Sequence, residues 1–451
     1  MSEDHLTPIA LQQEQKKSKR YNGIDAMKGF GIWVMLLIHC LIQQEAEFDS
    51  SLFINTITRI SYWWYPLLIP IAILSLWGPF FAFAYVTTLS IQIQHIIDTN
   101  PKEVRKFLLI RLLIGVLILT ISKIGSTVFS YRFFERGHFT FPYIGISYES
   151  TILDLIAWSG FIVPSLISIL CRRLKIKNPY RLIAFLVGII LIWFVISPSL
   201  ANLGNNYVLP WLMDKDLHFL RYLVSKLVCG RFKMLPVLSF GFLGGIYGTM
   251  LYHEFSFKKI ISFTLIFFGT CTLGFALWHF LIEPDWILKF ASEDVPIPIQ
   301  LVNMGTMPFL FLLFLHNQDF AKTEKRRVQA AKRVTWWRRY SLISLTAYAL
   351  GTDIAFRVFK FFTDVWGPSV DRSGPELLFA WNIWQLLAFI ATMWIFWEIL
   401  IRIWEKINYL FSIDWFLAKC TQLLTGQKMA RLNVKHIIYE PNKYHEEEIH
   451  S

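Results

Sequence analysis

Residues 20–39 read RYNGIDAMKGFGIWVMLLIH, an apolar segment that carries three ionisable side chains, Asp25, Lys28 and His39. On a helix of about 100° per residue, Lys28 and His39 are about 20° apart around the axis, and Asp25 falls on the same side. Lys28 and His39 are separated by about 16 Å along the axis, half the hydrocarbon thickness of a bilayer. Because ionisable groups are costly at such depth, this stripe predicts a functional site.

The composition indicates a polytopic membrane protein. The chain of 451 residues is 55% hydrophobic and 17% charged, with a mean hydropathy of +0.45. That leaves too little polar surface for a soluble globule of this size. The formal net charge of +12 does not indicate nucleic-acid binding, because the basic residues crowd into short loops between apolar segments. The five cysteines are scattered without metal-like spacing, so no metal site is expected.

We predict an all-α bundle of about ten transmembrane helices, each near the twenty-odd residues that a bilayer requires. The predicted spans lie at 22–43, 66–97, 106–128, 151–171, 181–199, 234–253, 260–282, 299–317, 340–362 and 377–404. The second is overlong, and Trp77-Gly78-Pro79 is expected to divide it into a short lead-in and a full helix. Basic loops alternate along this order, which fits both termini in the cytoplasm.

Two short regions flank the transmembrane domain of residues 22–404. Residues 1–21 form a basic cytoplasmic arm, and residues 405–451 form an interfacial helix followed by a loosely held cytoplasmic tail after Gln427. The basic segment 318–339, with Trp336 and Trp337, is interpreted as an anchor on anionic membrane lipid. The protein is expected in the plasma membrane of a prokaryote or in an endomembrane.

The pattern Ile24-Asp25-x-x-Lys28-Gly29, followed by His39, resembles the first helix of the membrane-bound acyltransferase superfamily. The similarity is to its acyltransferase-three and heparan-α-glucosaminide N-acetyltransferase-like branches. In those branches the first helix carries an Asp, then Arg or Lys followed by Gly, and then a His after ten intervening residues.

Three shorter stretches also resemble this superfamily. They are Gly78-Pro79-Phe80-Phe81, the span with Leu235-Pro236 and four glycines at 241, 244, 245 and 248, and Ser412-Ile413-Asp414-Trp415. One departure is that some relatives carry a His shortly after the Tyr of the ninth span, whereas Tyr348 is followed by Gly351, Thr352 and Asp353. The resemblance therefore bears on the acyltransferase class more than on a particular substrate.

The resemblance implies transfer of an acyl group, with acetyl expected, from cytoplasmic acyl-CoA to a sugar or glycan acceptor at the opposite face. Lys28, Arg105 and Arg111 are the cations expected to bind the anionic nucleotide end of the donor. Two alternatives remain open for Lys28, snorkelling and pairing with Asp25, and one for the arginines, anchoring at the membrane surface. His39 acts either as a general base on the acceptor or as a covalent acyl carrier.

Asp353 is the third candidate catalytic residue, beside His39 and Lys28. If the ninth span begins near Tyr340, Asp353 lies about 20 Å along it, at a depth similar to that of His39. Asp353 either orients His39, as a carboxylate does for a catalytic histidine, or pairs with Arg357 four residues later. The rival functions are a transporter of a small anionic or lipid-linked solute and an inactive scaffold. The acceptor and the oligomeric state stay open.

Overall fold

The computed structural model describes residues 21–45, 63, 78–128, 151–228, 233–282, 297–321, 323–371, 378–426 and 434–439. Within these ranges the chain is helical, apart from connecting segments and one antiparallel pair of two-residue strands, β1 (Val370–Asp371) and β2 (Leu378–Phe379). The N-terminal arm up to residue 20, the lead-in to the second span and most of the C-terminal tail lie outside the described residues.

The helices fall into two runs along the chain. The first run is α1 (Asn22–Glu45), α2 (Gly78–Thr99), α3 (Val104–Val128), α4 (Ile152–Arg172), α5 (Pro179–Leu203), α6 (Leu209–Asp214), α7 (His218–Val228) and α8 (Met234–Tyr252). The second run is α9 (Phe257–Leu277), α10 (Ile297–Gln318), α11 (Glu324–Arg333), α12 (Thr335–Leu342), α13 (Ser344–Trp366), α14 (Ile383–Glu405), α15 (Ile413–Thr425) and α16 (Val434–Tyr439). Pro101–Glu103 is a single 3₁₀ turn, and Gly204–Val208 and Trp278–Ile282 are π turns.

A helix lies at each of the ten predicted span positions, so the all-α class is confirmed for the described part of the chain. Seven helices there are long and apolar enough to cross a membrane, and α12 and α13 add an eighth if they count as one broken span. The axes of α12 and α13 meet at 70°, whereas the sequence predicted one continuous span at 340–362. The second span begins at Gly78, with Pro79 in its first turn, where proline is tolerated.

Two segments that were expected to be loops are helical. The first is 200–233, which lies between the fifth and sixth predicted spans and is therefore expected to be an outer loop, opposite the cytoplasm; here the chain continues from α5 through the π turn into α6, and α7 follows. The span prediction stopped near Pro198, but a proline inside a membrane helix is accommodated when neighbouring groups satisfy the backbone. The basic segment 318–339 forms α11 and α12.

The buried apolar residues divide into two clusters. The first cluster is formed by α2, α3, α4, α5, α8, α9 and α10 with the beginning of α1, and the second cluster by α12, α13, α14 and α16 with the later turns of α1. Ile24 and Met27 belong to the first cluster, whereas Ile32 and Leu36 belong to the second. The Lys28-Gly29 pair therefore lies where α1 passes from one cluster to the other.

The glycines of α8 bring its neighbours close. A Cβ at Gly244 would overlap the carbonyl oxygen of Phe83, and a Cβ at Gly248 would lie 2.6 Å from that of Thr87. On the adjoining face, a Cβ at Gly241 would lie 2.9 Å from the Ser159 Cβ. Small residues permit such close approach between membrane helices, so the glycine-rich span is the central helix of the first cluster.

The chain after α14 turns back onto the protein. Asn408, Tyr409 and Phe411 have positive φ angles of 54°, 51° and 64° in the connection to α15. Val434, Ile437 and Ile438 of α16 are buried in the second cluster. Residues 434–439 thus differ from the loosely held tail expected after Gln427, because their three apolar residues share one side of a short helix.

Candidate functional site

The beginning of α1 is fixed by groups from two other helices. Asp319, just after α10, accepts hydrogen bonds from the backbone N–H groups of Asn22 and Gly23 at 2.9 and 2.8 Å. A carboxylate satisfies the free N–H groups of a helix N-terminus and interacts favourably with its dipole. The Tyr21 hydroxyl donates to the carbonyl of Leu251 at 2.9 Å, and burial, followed by the charge of Asp319, raises the pKa of Tyr21. These contacts fix the N-terminal end of α1 and therefore the position of the stripe that follows on it.

The predicted stripe faces the second cluster. Asp25 and Lys28 are partly buried, and Ile32 and Leu36, which follow on the same helix face, are buried among α12, α13 and α14. His39 occupies the next position on this face by helix geometry, because it is about 20° from Lys28 around the axis. Its backbone belongs to α1, but its side chain lies outside the described part of the structure.

Gly29 is the point at which α12 crosses α1. A Cβ on Gly29 would overlap the carbonyl oxygen of Trp337, so any larger residue would separate the two helices. The rings of Phe30 and Trp337 pack at 5.4 Å and those of Trp33 and Trp336 at 5.2 Å. The two tryptophans therefore pack against α1, which corrects their interpretation as part of a lipid anchor. The two tryptophan rings are positioned by the packing of α12 on α1, and not by the basic residues next to them in the sequence.

α1 and α13 meet where the two remaining candidate residues follow. A Cβ on Gly351 would lie 2.9 Å from the Leu36 Cδ2 atom. His39 comes three residues after Leu36, and Asp353 two residues after Gly351; the Asp353 side chain also lies outside the described part. Because α13 begins at Ser344, Asp353 is about 14 Å along it, and the depth predicted from Tyr340 on a straight helix does not hold.

The three predicted donor-binding cations lie on two helices that have different main partners, with Arg105 and Arg111 on α3 and Lys28 on α1. Arg105 is exposed at the start of α3. Arg111 donates from Nη2 to the Gln92 Oε1 at 3.0 Å, and its guanidinium lies 4.8 Å from the centre of the Phe107 ring. Its Nε is buried and has no hydrogen-bond partner among the described residues. The main partner of α3 is α4, whereas Lys28 lies on α1, whose main partner is α12.

An ionic network that the sequence reading missed lies beside the stripe. Glu398 of α14 accepts hydrogen bonds from the Trp336 Nε1 at 2.6 Å, the Arg402 Nε at 2.6 Å and the Tyr340 hydroxyl at 3.4 Å. About two turns further along α14, Glu405 pairs with the Arg339 Nε at 2.7 Å. The available signal was Glu398 itself, a carboxylate inside the apolar run of the last span.

The acidic-Trp stretch after α14 also has a defined position. Asp414 is buried, and its Oδ2 atom accepts from the Thr346 backbone N–H and hydroxyl, both at 3.0 Å. The Ser344 hydroxyl lies 3.3 Å from Oδ1. Asp414 thus caps the beginning of α13 from another segment of the chain, directly after the 70° bend.

Within the described residues, no group of three or more His, Cys, Asp or Glu side chains could hold a metal ion. No protein-family model, curated protein or solved structure matches this chain. The chemistry of the site is therefore argued from its own residues.

Proposed function

We propose that this chain is a multi-pass membrane acyltransferase with ten spans and both termini in the cytoplasm. It transfers an acyl group, with acetyl expected, from cytoplasmic acyl-CoA to a sugar or glycan acceptor at the opposite face. The observation that carries the proposal is the packing of the charged face of α1 against α12 and α13, at Gly29 and at the Leu36–Gly351 contact. This packing leaves Asp25 and Lys28 partly buried, and ionisable groups within membrane helices usually serve a function.

Contacts at one end of the bundle support the alternation of spans. The Tyr252 hydroxyl donates to Asp98 at 2.5 Å, which joins the end of α8 to the end of α2. The Lys259 ammonium donates to the Tyr180 hydroxyl at 2.9 Å, which joins the starts of α9 and α5. With the Asp319 cap on α1, these contacts bring together helix ends that the loop charges assign to the cytoplasm.

The roles follow from position along α1. Lys28, with Arg105 and Arg111, binds the phosphates of the donor near the cytoplasmic ends of the helices, since a phosphate is best held by charge-assisted hydrogen bonds. As a general base, His39 takes the proton of an acceptor hydroxyl or amine while that oxygen or nitrogen attacks the thioester carbonyl. Coenzyme A leaves as a thiolate and takes up the proton from His39. Asp353 holds the imidazolium in the intervening state.

The test uses membranes that contain wild-type, His39→Ala or His316→Ala protein, supplied with radiolabelled acetyl-CoA and a panel of glycans. His316 is an exposed histidine at the end of α10 and serves as the matched control. We expect label in the glycan with wild-type and His316→Ala protein and none with His39→Ala. If a correctly folded His39→Ala protein transfers as much label as the wild type, the proposal is contradicted. Label on the protein when acceptor is omitted identifies His39 as a covalent carrier.

A transporter is the second candidate, and the break between α12 and α13 favours it. Discontinuous helices beside buried charges form the substrate sites of many transporters. In that case the wild-type protein in sealed vesicles takes up a labelled glycan or anionic solute without consuming acetyl-CoA. A wild-type protein that shows neither acyl transfer nor solute uptake would be an inactive scaffold.

A further inference from the structure

A buried ion pair lies at the beginning of α4, apart from the α1 stripe. The Lys226 Nζ of α7 is 3.2 Å from the Asp154 Oδ2, and the two residues are 4% and 0% exposed. α7 packs on α8 and α5, so a helix from the predicted outer loop delivers a lysine into the protein interior. Burying two charges costs more than their pairing usually returns, and a purely apolar contact would hold these helices as well.

The two oxygens of Asp154 have different surroundings. Oδ2 accepts from the Thr151 backbone N–H at 2.7 Å, the Thr151 hydroxyl at 3.0 Å and Lys226. Oδ1 is buried and has no hydrogen-bond partner within the described residues. A buried charged acceptor without a donor is costly, so this oxygen points to a donor that the described residues do not supply.

Two tyrosines complete the surroundings. The Lys226 Nζ lies 5.5 Å from the centre of the Tyr222 ring, and burial, followed by the charge of Asp154, raises the pKa of Tyr222. The Tyr222 phenol therefore stays neutral and can both donate and accept. Tyr348 of α13 lies close to the backbone of Ile152 and within reach of the Asp154 charge.

The same turn of α13 joins this group to the α1 stripe. Tyr348 is three residues before Gly351, about 4.5 Å along the helix axis. Tyr348 contacts α4, and Gly351 contacts Leu36 of α1. The residues around Asp154 and the part of α1 around Leu36 therefore both contact the same turn of α13.

We infer that the acceptor binds at Asp154 and is a neutral polyhydroxy sugar, one of whose hydroxyls donates to Oδ1. Lys226 already balances the charge of the carboxylate, so a neutral hydroxyl satisfies Oδ1 without adding charge. A protonated amino sugar would place a second ammonium beside Lys226 in a buried site, where like charges repel strongly. The acylation of this sugar rests on the proposed function, whereas its binding does not.

The test is ligand-induced stabilisation of the purified full-length protein in lipid nanodiscs, which carry no sugar headgroup. Glucose and glucosamine are the probes, and the readout is the shift in Tm across a concentration series, which reports a Kd for each. The main variant is Asp154→Asn/Lys226→Met, which removes both charges and leaves neither buried alone. The matched control is Asp214→Asn/Lys215→Met, a neighbouring pair that is exposed on the same predicted outer segment.

We expect glucose, and not glucosamine, to stabilise the wild type and the control, and at least tenfold weaker glucose binding by the main variant. If that variant does not fold, Asp154→Glu keeps the charge and moves the free oxygen by one methylene, and it should weaken binding likewise. Equal stabilisation by the two sugars, no stabilisation of the wild type or undiminished binding by the folded variants overturns the inference. Glucose binding without acetyl transfer refutes the proposed function alone, whereas transfer with undiminished binding by the variants refutes this inference alone.

Discussion

The first and second clusters are held together by different kinds of contact. In the first cluster, glycines bring helix backbones together, and neutral polar contacts, such as Tyr247 with Thr264 and Gln94 with Thr249, stand beside one buried ion pair, Lys226 with Asp154. In the second cluster, the helices are joined by buried ions, including Arg339 with Glu405. Backbone packing at glycines tolerates no displacement, whereas ionic contacts hold only while both partners are present. We therefore expect the first cluster to be the more sensitive to changes in helix spacing and the second to the loss of a charged partner.

α1 belongs to both regions, which explains the position of its motif. The turns before Lys28 pack in the first cluster, and those after Gly29 pack in the second. If acyl-CoA binds at Lys28 as proposed, it contacts the boundary between the two clusters.

The largest effect is expected from Gly244→Val. Its side chain would overlap the Phe83 carbonyl, and because backbone cannot yield as a side chain does, we expect a loss of more than about 4 kcal/mol of stability. Gly269→Val is the control, because a Cβ at Gly269 meets no atom within 4 Å. The yield of folded protein and its Tm are the measurements. Equal behaviour of the two variants would contradict a scaffold built on glycine contacts.

The second effect is expected from Arg339→Met, which leaves Glu405 buried without its cation. Side-chain exposures are 10% for Arg339 and 12% for Glu405, so we expect a loss of about 3 kcal/mol in the free energy of unfolding. The double variant Arg339→Met/Glu405→Met should recover most of it. Arg402→Met is the control, because that arginine is 57% exposed, and its effect should be about 0.5 kcal/mol. A double variant no better than the single one would show that the second cluster does not depend on this ion pair.

The helices could be predicted from the sequence because each apolar run is local. A helix lies at each predicted span position, although the span 340–362 is divided between α12 and α13, and Gly78-Pro79 begins α2 as expected. The 70° bend could not be predicted, because nothing between Leu342 and Ser344 marks it. Its cap comes from Asp414, 68 residues beyond Thr346.

Only the part of the candidate site that lies on a single helix could be predicted from the sequence. The stripe on α1 follows from spacing, but the tight place for Gly29 exists only because α12 crosses there. Arg338 and Arg339 were counted as loop charges, since a buried arginine and a surface arginine look the same in a basic segment. Both are buried, and the partner of Arg339 lies 66 residues away.

A smaller effect is expected on donor binding from Lys28→Met. If Lys28 contacts the phosphates of acyl-CoA, its loss should raise the KM for acetyl-CoA about tenfold, equivalent to about 1.4 kcal/mol, and leave kcat nearly unchanged. Lys28→Arg should retain wild-type KM, because the guanidinium keeps the positive charge and binds phosphate by charge-assisted hydrogen bonds. Lys325→Met, at an exposed lysine of α11, controls for the general attraction of an anionic donor. A fall in kcat at constant KM would place Lys28 in the chemical step instead.

The smallest effect is expected from Asp414→Asn, and it tests whether the two clusters are energetically separate. The amide keeps one acceptor oxygen for Thr346 but loses the charge that strengthens both hydrogen bonds, so we expect a loss of about 1 kcal/mol. Thr346 begins α13 in the second cluster, whereas the glycine contacts of α8 lie in the first. Combined with Gly248→Ala, the losses should add to within about 0.5 kcal/mol, because the two changes share no partner. A larger coupling, measured in the double-variant cycle by unfolding in nanodiscs, would mean that the cap on α13 also supports α8. The two clusters would then not be energetically independent.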